Sequence, residues 1–154
     1  MVASPQPLAA ADPAAERIAL MIARGVCRML GELGHGTLTE FSLGNGRRAD
    51  VIGLDRDGRF VIVEVKSCPA DFLSDAKWED YLPFCDRYYF AVAADFPQEL
   101  LPGEHGLIVA DAFDAVVVRE AAEAPMHASR RKAQLLRFAL TATGRLSGLV
   151  DPRL

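Results

Sequence analysis

With 154 residues, 51% of them hydrophobic and 25% charged, the chain has the composition of an ordinary globular domain. No uninterrupted apolar run approaches the ~20 residues that span a bilayer, which excludes a membrane partner, and aromatic and β-branched residues recurring through the middle exclude general disorder. The net charge of −4 speaks against avid non-specific binding to nucleic acid, which a strongly basic balance announces.

Residues 1–12 are rich in alanine and proline and lack the charged start and apolar centre of a signal peptide, so they are expected to form a disordered tail. Residues 13–154 then form a single domain. The three cysteines, Cys27, Cys68 and Cys85, match no zinc spacing. Reduced thiols in an intracellular protein are the expectation, with a single disulfide left open, and the expected location is the cytoplasm. His35, His105 and His127 are scattered and suggest neither a triad nor a zinc site.

Asp12-Pro13 supplies an N-cap and a favoured first helical residue. Ile18, Ile22, Val26, Met29, Leu30 and Leu33 share one helical face, which predicts a helix over 13–33, stopped by Gly34 and Gly36. Three strands are predicted next, over 37–43, 48–54 and 59–66, separated by the turn sequences Gly44-Asn45-Gly46 and Asp55-Arg56-Asp57-Gly58. Pro69 opens a second helix to about Tyr81, closed by Pro83. A strand over 87–93, a loop with one helical turn over 96–102, and strands over 107–111 and 115–119 follow. The last element is a helix over 129–145, with Leu135, Leu136, Ala139, Leu140 and Thr143 as its packing face. The order predicts an α/β fold, a central mixed sheet flanked by helices.

The hairpin between the second and third strands carries the chemistry. Arg56-Asp57-Gly58 fits a three-residue loop with Gly58 in the left-handed position, which pairs Asp55 with Arg59 and therefore Asp50 with Glu64. Directly opposed residues have Cβ atoms about 4.5–5.5 Å apart, and Lys66 shares the face of Glu64. Two opposed carboxylates destabilise a strand pair unless something offsets their repulsion, and a divalent cation is the natural candidate. Mg²⁺ or Mn²⁺ takes oxygen ligands and keeps several waters, so Asp50, Glu64 and the Val65 carbonyl form one open face of such a site. Lys66 would orient the attacking water and neutralise a phosphate. The plainer alternative is a solvated Glu-x-Lys ion pair at a strand end. Against it, Glu64 and Lys66 extend the apolar run 60–63, where unpaired charge is costly.

An acid on one strand, Glu-x-Lys on the next and an α-β-β-β-α-β order resemble the PD-(D/E)XK nuclease superfamily. The flanks are more specific: Gly46-Arg47-Arg48-Ala49-Asp50, Glu64-Val65-Lys66-Ser67-Cys68, Asp71-Phe72, Asp75-x-Lys77-Trp78-x-x-Tyr81, Cys85-Asp86-Arg87-Tyr88-Tyr89-Phe90-Ala91-Val92 and Gly106-Leu107-Ile108-Val109-Ala110-Asp111. With these the chain is similar to the MmcB-like family of bacterial DNA-repair endonucleases. The resemblance implies a restriction-endonuclease-like core and a metal-dependent DNA nuclease. Asp50 and Glu64 match its metal-binding acids and Lys66 its catalytic lysine, while Ala49 stands where the superfamily has proline. Members also take a further acid from the first helix, where Glu16 and Glu32 lie. Glu40, beside the Asp50 strand if the first two strands pair, is the preferred alternative.

Arg47, Arg48, Lys77 and Tyr81 are candidate substrate-binding residues, with Ser74, Lys77, Trp78 and Tyr81 on one helical face. Trp78 reads better as core, and Asp71 and Asp75 as acids at the positive end of a helix dipole. Arg130, Arg131, Lys132, Arg137, Arg145 and Arg153 face only Asp151 in the last 27 residues, a surplus of five positive charges that leaves the rest at −9. Such a helix is either a DNA contact or a solvated face. The expected partner is DNA, with a recruiting DNA-repair protein and a homodimer through the later strands left open. A nuclease-fold module that binds DNA or a repair protein without catalysis is the alternative function.

Overall fold

The computed structural model describes residues 12–75 and 77–153, so the predicted tail lies outside the described residues apart from Asp12. Asp12 is in extended backbone and its carboxylate accepts the Ala14 N–H at 3.1 Å; Pro13 then opens helix α1 (Pro13–Glu32). Its buried stripe of Ile22, Val26, Met29 and Leu30 packs on one face of a six-stranded sheet, against Val51, Val61, Val63, Val65, Tyr89, Ala91 and Ile108. Gly25 lies where α1 touches the turn after β5, and a Cβ there would sit 2.0 Å from the Asp111 carbonyl oxygen.

The strands are β1 (Gly36–Ser42), β2 (Arg48–Leu54), β3 (Phe60–Val65), β4 (Arg87–Val92), β5 (Gly106–Ala110) and β6 (Ala115–Arg119). They lie in sequence order, with β3–β4 and β4–β5 parallel and the other pairs antiparallel. Every residue of β3 is buried, as expected of a strand covered on both faces. The hairpin turn forms as its sequence predicts. Gly58 has φ +81, the Asp55 N–H donates to the Arg59 carbonyl, and the Asp55 carboxylate caps the N–H groups of Asp57 and Arg59. Val51 therefore faces Val63, Ile52 faces Ile62, and Leu54 faces Phe60.

The other sheet face carries a second core of Phe41, Phe60, Ile62, Tyr88, Phe90 and Leu107. It is covered by Phe72 of α2 (Pro69–Ser74), by Trp78, Tyr81 and Leu82 of a 3-10 segment (Trp78–Phe84), and by Leu135 and Phe138 of α3 (Ala128–Val150). One predicted helix is thus two elements. Asp75 ends α2 because its carboxylate accepts both the Lys77 N–H (3.0 Å) and the Lys66 ammonium (2.6 Å), contacts that a continuous helix would forgo.

The packing face of α3 also differs from the prediction: Leu136 and Leu140 are exposed. Polar anchors set its rotation. The Arg131 guanidinium grips both oxygens of the buried Asp86 and donates to the Gly58 carbonyl at 2.8 Å, and Gln134 donates to the Phe84 carbonyl at 2.7 Å. All three cysteines are free, and no described helix is long and apolar enough to cross a membrane.

Candidate active site

At the C-terminal edge of the parallel strands, a common place for ligands in α/β sheets, the β2–β3 ladder gives way to side-chain bonds. Beyond the Val51–Val63 pair, the Asp50 N–H donates to Glu64 Oε1 at 3.1 Å and the Val65 N–H donates to Asp50 Oδ2 at 2.8 Å. The two acids therefore meet as the turn register predicts, each accepting from the strand that bears the other.

The neighbouring edge is distorted at the same level. Glu40, between the Thr39–Val51 and Phe41–Ala49 pairs, has φ +48, a left-handed backbone that non-glycine residues seldom adopt. Leu38 and Phe41 both pack into the second core, as do Ile52 and Ala49 opposite them. Both strands thus break the alternation of side chains at Glu40 and Asp50.

An open cleft of about 1220 Å³ results, lined by Asp50, Glu64, Val65 and Lys66 from the hairpin, and by residues of α1, β1, α2, the 3-10 segment and α3. Glu64 and Lys66 are each 4% exposed. Burial pushes the carboxyl groups of both Asp50 and Glu64 up, and the Asp50 charge adds to the rise at Glu64. Burial also raises the Tyr81 phenol, helped by the charges of Glu64 and Asp50. Lys66 points its ammonium at Asp75 rather than at the acid pair. Burial acts to raise Asp75, but the hydrogen bonds from Lys66 and the Lys77 N–H outweigh it and hold the carboxyl below its usual value.

The remaining sequence candidates divide. Glu40 and Glu16 line the cleft, whereas Glu32 does not; sixteen residues further along α1, it lies about 24 Å away along the axis. The Glu40 carboxylate is largely exposed and lies 3.9 Å from Arg48. Arg47 is tied to Asp80 by two hydrogen bonds of 3.0 and 3.1 Å. Tyr81 lines the cleft and donates to the Arg48 carbonyl at 3.1 Å. Lys77 is exposed and stands outside the cleft lining, and Trp78 packs among Tyr88, Phe90 and His105. With the helix broken at Asp75, these side chains no longer share one face.

Sequence reasoning named three residues without their roles. Asp75, read as an acid near a helix start, holds Lys66. Arg145, read as one charge of a basic helix, reaches the cleft, and Asp86, noted only within a family-like run, anchors that helix.

Asp50 and Glu64 offer an oxygen-only donor set that no side-chain cation among the described residues contacts within ion-pair distance, which fits a hard divalent ion. Among the described residues, no group of three or more His, Cys, Asp or Glu converges into a ready-made metal cage, so water would complete the coordination.

Comparison with known proteins places the chain. The family model described as "DNA repair protein MmcB-like" matches residues 6–153. The chain is similar to the solved structure of the "SPO1766 protein of unknown function from Silicibacter pomeroyi", with 47% identity and a TM-score of 0.84 over 87% of this chain and 92% of that one. No curated protein matches.

Proposed function

The chain belongs to the MmcB-like family of DNA repair proteins, and on that premise we propose that it is a metal-dependent nuclease that hydrolyses phosphodiester bonds in DNA. The observation that carries this reading is the meeting of Asp50 and Glu64 beside a buried lysine on a cleft floor. Asp50, Glu64 and the Val65 carbonyl would hold Mg²⁺ or Mn²⁺, with Glu40 as the further acid on the rim. When bound, that ion supplies positive charge to the phosphate and acidifies water.

The chain's own residues do the rest. Asp50 and Glu64 are fixed by hydrogen bonds to main-chain N–H groups, so they need no rearrangement at the moment of reaction. Lys66 carries three donors; one goes to Asp75, which leaves two to orient the water and to meet a non-bridging phosphate oxygen. Water attacks phosphorus and gives up one proton, one P–O ester bond breaks, and the departing oxygen takes up one proton in exchange, so that none is gained or lost overall.

The test is cleavage of branched, mismatched, flap and single-stranded DNAs with and without Mn²⁺. Cleavage that depends on Mn²⁺ and vanishes in Asp50→Ala and Lys66→Ala supports the reading; cleavage unchanged in both variants overturns it. The commitment of Lys66 to Asp75 favours a second reading, a non-catalytic DNA- or protein-binding module. Calorimetry separates the two, because Mn²⁺ binding that requires Asp50 and Glu64 is expected only of the nuclease.

A further inference from the structure

Three of the arginines that the sequence offers as phosphate ligands already face carboxylates. Arg47 is bound to Asp80, Arg48 faces Glu40, and Arg131 is bound to Asp86. Arg145 differs. It lines the same cleft, on an exposed turn of α3. Nη1 donates to the Thr39 carbonyl at 2.7 Å and Nη2 to the Glu40 carbonyl at 3.0 Å. Among the described residues no carboxylate lies within ion-pair distance of it. Neutral carbonyls fix the orientation of the guanidinium without cancelling its charge. Two of its five N–H donors are used, and those remaining match the oxygens of a phosphate.

The place is also right. Glu40 lies on β1 between the partners of Val51 and Ala49, the two residues that flank Asp50 on the adjacent strand, and paired strands lie about 4.8 Å apart. Arg145 shares with the carboxylate pair a cleft that gathers six acids, Glu16, Glu40, Asp50, Glu64, Asp71 and Asp75, against two further cations, Arg24 and Lys66. A polyanion entering so acidic a cleft needs a fixed cation at its mouth. Arg24 of α1 also reaches the cleft, but its guanidinium lies over the Phe113 ring.

We infer that Arg145 grips a backbone phosphate of DNA next to the bond presented to Asp50, Glu64 and Lys66, making α3 part of the substrate site. This rests on DNA being the substrate, but not on cleavage itself.

The test is fluorescence anisotropy of a labelled single-stranded oligonucleotide and its duplex, in EDTA and in Ca²⁺, across a range of KCl. Arg145→Gln is expected to weaken binding about tenfold at low salt and to reduce the log–log salt slope by about 0.7 on single strands or 0.9 on duplex. Arg145→Lys keeps the charge but not the fork, so it restores the slope while affinity stays several-fold below wild type. An unchanged slope and affinity in Arg145→Gln overturns the inference. Should Arg145→Gln fail to fold, an Arg145→Lys protein that binds as tightly as wild type overturns it instead. A wild-type protein that binds neither DNA removes this inference together with the nuclease reading. Arg145-dependent binding without Mn²⁺-dependent cleavage upholds the inference and assigns it to the non-catalytic module.

Discussion

Asp86 and Glu64 lie near opposite ends of the central parallel strands and are almost equally buried, at 2% and 4% exposed. Burial alone would raise both carboxyls, yet they shift in opposite directions. Asp86 receives the N–H groups of Phe60 and Met126 and the Arg131 fork, which outweigh burial and hold it below its usual value. Glu64 receives the Asp50 N–H but also faces the Asp50 carboxylate, and it rises. A buried acid surrounded by donors is a structural tie, whereas a buried acid facing another acid is a vacancy for positive charge. Surface exposure does not tell them apart; the depth at which each carboxyl lies and the sign of its neighbours do.

The sharpest way to break this contrast is mutation at each end. Asp50→Ala or Lys66→Ala is expected to lower the cleavage rate at least a thousandfold, about 4 kcal/mol. Asp50→Asn removes a carboxylate charge that burial disfavours, so thermal unfolding of the metal-free variant should occur at or above the wild-type temperature. A much lower midpoint with activity intact would reverse the assignment. Asp86→Ala leaves Arg131 without its partner and should cost about 3–5 kcal/mol, read by urea unfolding, while cleavage by the folded fraction persists.

Titration sharpens the comparison further. In the metal-free protein, native Glu64 retains a proton that the unfolded chain releases near the ordinary glutamate value. The native state then binds more protons, and this contribution to stability falls as pH rises above that value towards the native one. Asp86 has the opposite sign: its contribution is present above the unfolded pKa and is lost as pH falls through the lowered native one. Melting temperatures across pH in EDTA should therefore decline on the alkaline side, less so in Glu64→Gln, and the acid-side loss should shrink in Asp86→Asn. The smallest effect is expected at Arg47. Its pair with Asp80 is well exposed, so Arg47→Ala should cost less than about 1 kcal/mol and leave DNA affinity in anisotropy unchanged.

What was legible in the sequence was local. The three-residue loop with a left-handed Gly58 fixed the hairpin register, and the register brought Asp50 to Glu64. The break at Asp75 was not legible, because it depends on Lys66 and the Lys77 N–H sharing one carboxylate. Nor was the rotation of α3, which follows Arg131 and Gln134 rather than the leucine periodicity, leaving Leu136 and Leu140 in solvent. For the same reason Arg145 looked like one charge in a basic run. Its role depends on which carbonyls it meets, 105 and 106 residues away in the chain.

The acids of the cleft also serve as the last rungs of the β2–β3 ladder, since the Asp50 and Val65 amides end on carboxylate oxygens rather than on carbonyls. Any change in the charge or occupancy of those oxygens is therefore transmitted directly to two main-chain protons. Hydrogen exchange and amide chemical shifts at Asp50 and Val65 should act as a built-in gauge of the site, moving with cation or proton uptake while the Ile52 and Ile62 amides deeper in the hairpin stay still. The protein carries its own spectroscopic indicator, readable without substrate or turnover.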